Sequence, residues 1–139
     1  MIHQLRIYEI FEHNREAFHA RFRDHAARLM RHHGFRILDM WESTRDRRLE
    51  FVYLLEWPDE AARDTAWRAF MGDQAWIAVK RQTTAQHGDL VGAIEDRTLR
   101  RTDYSPAMWG EIGESGVACI LRVAWQTDSP EVGAQTVGE

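Results

Sequence analysis

His25, Arg6 and Tyr8 are the side chains of this sequence whose types and positions suit proton transfer and the steadying of negative charge. His25 falls in a stripe with Phe18, Phe22, Leu29 and His33, at successive spacings of four, three, four and four, so a regular helix would turn its imidazole towards a covering sheet. There it could act as a general acid or base, because its pKa lies near neutrality and burial can tune it. A core histidine hydrogen-bonded to a neighbour fits the same position. Arg6 and Tyr8 share one face of an alternating segment, where a guanidinium fork and a phenol donor could bind a carboxylate or an enolate. A structural ion pair or a subunit contact would use the same two residues.

Aromatic residues supply candidate walls. Tyr53 is expected on a neighbouring strand, facing the same side as Phe51 and Leu55, with Trp41 completing the surface. Trp67, Phe70 and Trp76 surround a helix break at Gly72 and Asp73, where they either lock the break onto the sheet or frame a pocket mouth. Plain core packing accounts for all of them equally well.

Metal chemistry finds no comparable support. His32 and His33 are adjacent, so on a helix they point about 100° apart. His13, His19 and His25 recur every six residues, a poor match to one helical face, and no H-E-x-x-H occurs. No metal and no cofactor is assigned, although one axial histidine would suffice for haem. Neither a Ser/His/Asp elbow nor a phosphate-cradling glycine loop is present.

The elements that must position these groups follow from the hydrophobic pattern. His3 to Ile10 alternates as a strand, Asn14 offers an N-cap, and a helix is expected to run to His33 and end at Gly34. Phe35 to Ser43 and Leu49 to Trp57 read as an antiparallel hairpin. Pro58 and Asp59 open a helix interrupted at Gly72, and a second piece spans about Gln74 to Gln86. Ala93 to Arg101 is the last strand, and Pro106 limits the unit. The order βαββαβ predicts an α+β, ferredoxin-like fold whose helices cover one sheet face and leave the other for a second subunit.

The 139 residues fit one core, with 44% hydrophobic and 29% charged residues. A net charge of −4 gives no general attraction to nucleic acid or anionic membranes. The basic clusters Arg45 to Arg48 and Arg97 to Arg101 are short and flanked by acids. Cys119 is the sole cysteine, which excludes an internal disulfide and makes a reducing cytoplasm the default. Met1 to Ile10 lacks the apolar core of a signal peptide.

Leu5-Arg6-Ile7-Tyr8, Phe22 with His25, His33-Gly34-Phe35 leading to Trp41, Val52-Tyr53-Leu54, Trp67-x-x-Phe70 with Trp76, and the closing Arg100 to Pro106 occur in the order seen in NIPSNAP domains. The chain resembles that family, within the dimeric α+β barrel superfamily, over residues 1–106. The resemblance implies a homodimer and a pocket between sheet and helices or inside the barrel. In such a pocket His25, Arg6 and Tyr8 are the candidate catalytic residues, with Trp41, Tyr53, Trp67 and Phe22 as the candidate contacts to a hydrophobic small molecule. The superfamily hosts metal-free monooxygenases, cyclases, isomerases and haem enzymes, so the expectation is a cofactor-independent enzyme acting on an oxygenated metabolite, in specialised metabolism. The alternative is a non-catalytic ligand-binding or protein-interaction module.

Residues 107–139 depart from that pattern. Gly116 to Trp125 alternates as an added strand able to cover a sheet edge, and Ser129 to Glu139 has the composition of a mobile tail.

Overall fold

The computed structural model describes residues 1–106; the expected added strand and tail lie outside the described residues. Met1–Arg101 forms one compact unit. Its strands are β1 (Ile2–Ile10), β2 (Arg36–Arg45), β3 (Arg48–Trp57) and β4 (Val91–Leu99). They make one antiparallel sheet in the order β2-β3-β1-β4. Between β1 and β2 run α1 (Arg15–Arg21), a π turn (Phe22–Ala26) and α2 (Ala27–His32). Between β3 and β4 run α3 (Glu60–Met71) and α4 (Gln74–His87). This is the α+β ferredoxin-like arrangement, and the alternation of the strands decides which side chains the helices bury.

Gln4, Arg6, Tyr8 and Ile10 of β1 and Phe51, Tyr53, Leu55 and Trp57 of β3 lie on the helix side, in register as Arg6 opposite Tyr53 and Tyr8 opposite Phe51. Against them pack Phe18, Phe22 and Met30 from the first helical stretch and Phe70 and Trp76 from the second. The other sheet face carries partly exposed Leu5, Ile7 and Val52, with Trp41 and Leu99 towards its edges.

Local chemistry explains the boundaries. Asp46 and Arg47 both adopt positive φ, at 51° and 64°, and so close β2 and β3 by a two-residue turn of the hand that matches strand twist. Asp59 caps α3 by accepting from the Ala62 N–H, and Asp73 caps α4 by accepting from the Ala75 N–H. Asp73 also meets His33 Nε2 at 2.7 Å, which ties the end of α2 to the start of α4.

Two local expectations are corrected. Asn14 occupies the N-cap position without capping. Its buried Nδ2 donates instead to the carbonyls of His87 and Asp89, at 3.0 and 3.1 Å, fastening the α4–β4 connection to the first helix. The second correction concerns the helix itself. The expected unbroken helix contains the π turn, whose wider loop absorbs an extra residue and rotates everything after Phe22.

Candidate functional site

That rotation decides where His25 goes. Ala26 and Ala27, 1% and 4% exposed, take the buried positions, while His25 is left half-buried. A 3.6-residue count cannot be carried through a π turn, and the burial expected at His25 falls on Ala26 and Ala27.

Arg6 and Tyr8 do line a cavity. It has a volume of about 170 Å³ and lies between the sheet and the helices, walled by Phe18, Phe22, Trp67, Phe70 and Trp76. Arg6 Nη1 binds Asp96 Oδ2 at 2.7 Å, Arg6 Nη2 donates to the Tyr8 hydroxyl at 3.2 Å, and the Tyr8 and Tyr53 hydroxyls lie 2.6 Å apart. The guanidinium also stacks over Trp67, 4.4 Å from its centroid. Arg6, Tyr8, Tyr53, Trp67 and Phe22 thus form one cluster, as the sequence suggests.

Electrostatics follow from this packing. Burial opposes the charge on Arg6, but the oxygens of Tyr8, Tyr53 and Asp96 outweigh it and hold the guanidinium above its ordinary pKa. Burial, reinforced by Tyr8, pushes the Tyr53 hydroxyl well above the ordinary phenol range, against the pull of Arg6. Tyr53 therefore keeps its proton and can donate it to the Tyr8 oxygen. Tyr8, accepting from Tyr53 and Arg6, can then aim its own O–H into the cavity.

Trp41 is not part of this cluster. A bulge between Ile37 and Asp39 flips the strand, so Trp41 sits opposite Val52 on the other sheet face and borders an open groove of about 460 Å³ along β2. The same groove is edged by an ion cluster in which Glu42 accepts from Arg15 and meets His19 Nε2 at 2.6 Å. The bulge has no glycine or proline to announce it.

Four polar residues of the site were not foreseen. Gln4, 3% exposed, accepts from the indole N–H groups of both Trp57 and Trp67, each at 2.9 Å, and donates to Asp96 at 2.8 Å. Arg21 and Lys80 line the cavity and lie over the Trp76 ring. Some signal existed: Trp76 and Lys80 are four apart on one helix face, and Asp96 alternates onto the face that opposes Arg6. Among the described residues no group of three His, Cys, Asp or Glu side chains could hold a metal ion, and no helix is long and apolar enough to cross a membrane.

Comparison with known proteins agrees with this architecture. A NIPSNAP-like domain protein from Burkholderia xenovorans superposes with a TM-score of 0.65 at 17% identity, covering 77% of this chain and 90% of its own. A NIPSNAP family protein from Agrobacterium tumefaciens gives 0.66 at 18% identity, with 77% and 98% covered. A candidate antibiotic biosynthesis monooxygenase from Nitrosomonas europaea gives 0.50 at 16% identity, with 75% and 100% covered, a likeness of fold alone. No curated protein matches the sequence. The NIPSNAP family model matches residues 3–106, the stretch that carries the sheet, both helical stretches and the Arg6–Tyr8–Tyr53 cluster, and the chain accordingly belongs to the NIPSNAP family.

Proposed function

We propose that the chain is a cofactor-independent enzyme that moves a proton on a hydrophobic, oxygenated small molecule held between sheet and helices. The observation that supports this reading is the hydrogen-bonded series Arg6, Tyr8, Tyr53 set against an aromatic cavity. A carbonyl oxygen beside Tyr8 would receive the phenol proton as charge develops on it, while an adjacent carbon proton leaves to water, giving the enol. Arg6 and Tyr53 steady the phenol oxygen left behind. His25 is outside this scheme, since it does not reach the cavity.

A second reading, a non-catalytic binding module, has its own support. Neither a carboxylate nor a histidine lines the cavity to accept a carbon proton. One experiment separates the two: monocyclic aryl ketones are incubated with the protein in deuterium oxide and their α-hydrogens followed by NMR. Accelerated exchange that Tyr8→Phe abolishes without abolishing binding supports the enzyme. Binding without acceleration favours the module, and absence of binding removes both.

A homodimer is part of the same proposal, because Leu5, Ile7 and Val52 form an apolar centre on the face the helices leave uncovered. Sedimentation at micromolar concentration should give twice the 16.3 kDa chain mass. A monomer there would remove the dimer.

A further inference from the structure

Arg6, Arg21 and Lys80 line the cavity between sheet and helices, and no acidic side chain does. Arg6 is met by Asp96. Arg21 is not met in this way: its Nη1 donates to Thr83 Oγ1 at 3.1 Å, its guanidinium lies 5.5 Å from the Trp76 centroid, and no carboxylate pairs with it among the described residues. Lys80 Nζ lies 5.7 Å from the same centroid, again with no carboxylate pair among the described residues. A cation drawn out of water without a counter-charge is unfavourable, and burial accordingly holds the Arg21 pKa below its ordinary value.

Two of the lining residues, Arg6 on the sheet and Trp76 on α4, also hold a buried N–H, Nε and Nε1, without a hydrogen-bond partner. Excess positive charge around aromatic rings describes a site for an anion with an apolar body. A dry apolar cavity of about 150 Å³ holds benzene. The volume here, about 170 Å³, fits one ring with a small head group.

Resting on the reading of this cavity as a ligand site, we propose that it selects monocyclic aromatic carboxylates, the ring packed among Phe18, Phe22 and Trp76 and the carboxylate turned towards Arg21 and Arg6. A free inorganic anion would leave the aromatic walls unused. A neutral ring would leave Arg21 unmet.

Calorimetric titration with benzoate and with benzamide, which share ring and size but differ in charge, tests this. Benzoate should bind about tenfold more tightly or better, and Arg21→Gln should remove about tenfold of that affinity while sparing benzamide and the urea midpoint. Lys80→Gln should weaken benzoate in the same direction. Arg31→Gln, which alters the outer groove, should change neither ligand. Equal affinity for the two ligands overturns charge selection but keeps the cavity as a ligand site. Binding of neither overturns both. Loss of benzoate in Arg31→Gln with retention in Arg21→Gln overturns the location. Benzoate binding without ketone exchange leaves anion selection standing and removes only the catalytic reading.

Discussion

The hydroxyls of Tyr8 and Tyr53 lie 2.6 Å apart on adjacent central strands, and the Tyr8 oxygen also accepts from Arg6. The two phenols are therefore unequal. Tyr53→Phe removes one hydroxyl and leaves Tyr8 its Arg6 partner, a loss of about 1 kcal/mol. Tyr8→Phe takes the hydroxyl partner from Tyr53, which is 0% exposed, and also the acceptor from Arg6, so it should cost about 2 kcal/mol. The double variant should cost less than the sum of the two. Urea denaturation of the three variants measures this, and a larger loss for Tyr53→Phe would reverse the assignment.

Gln4 governs a second junction. Its Oε1 is the acceptor for both Trp57 Nε1 and Trp67 Nε1. Gln4→Leu keeps the volume but leaves two indole donors in or near the core without a partner, for a loss of about 2–5 kcal/mol. Asp96→Asn, at a half-exposed partner of the same amide, should cost under about 1 kcal/mol. Tryptophan emission should shift red in Gln4→Leu even below the unfolding transition, since Trp67 loses its fixed contact. A Gln4→Leu protein as stable as the parent would show that the amide is dispensable.

These two junctions differ in how far the sequence discloses them. Strand alternation fixes which face Arg6, Tyr8 and Tyr53 share, so that cluster is readable once the strands are placed. The Gly72–Asp73 break and the restart at Gln74 are likewise written in local capping chemistry. By contrast, Gln4 reads as an ordinary polar residue on an edge of the pattern, because nothing local says that two indoles from β3 and α3 will converge on it. Trp41 and His25 were displaced by single-residue irregularities, a bulge at Leu38 and the π turn. Each is a tertiary compromise that changes a periodic count by one and leaves no compositional trace.

Glu42 should make stability pH-dependent in acid. Its hydrogen bonds from Arg15 and then His19 hold its pKa at about 2, below the ordinary 4.5. A depressed carboxylate pKa contributes stability that is fully present above the unfolded value and is lost as pH falls from 4.5 towards 2. Glu42→Gln removes this component. The gap in urea midpoint between parent and variant should be constant above 4.5 and should narrow below it. A gap that widens as pH falls would mean that the Arg15 and His19 contacts do not persist in solution.

The π turn supplies the sharpest test of where the proton chemistry resides. His25 is half-buried and outside the cavity, so His25→Ala should change stability by no more than about 0.5 kcal/mol and leave ligand affinity intact. Deleting Arg23, an exposed residue within the turn, should convert the segment to regular helix. Because the π turn already absorbs one extra residue, removing it keeps every later side chain in its present direction, so Ala26 and Met30 stay on the cavity wall and His25 stays off it. That deletion should therefore preserve binding, with Ala26 and Met30, 1% and 2% exposed, still packed against the sheet; loss of binding would mean that the later side chains had turned. Calorimetry and urea denaturation read both effects. Should His25→Ala abolish ketone exchange while binding and folding persist, the proton would have to pass through the imidazole, and Tyr8 would be left with the task of holding the oxygen.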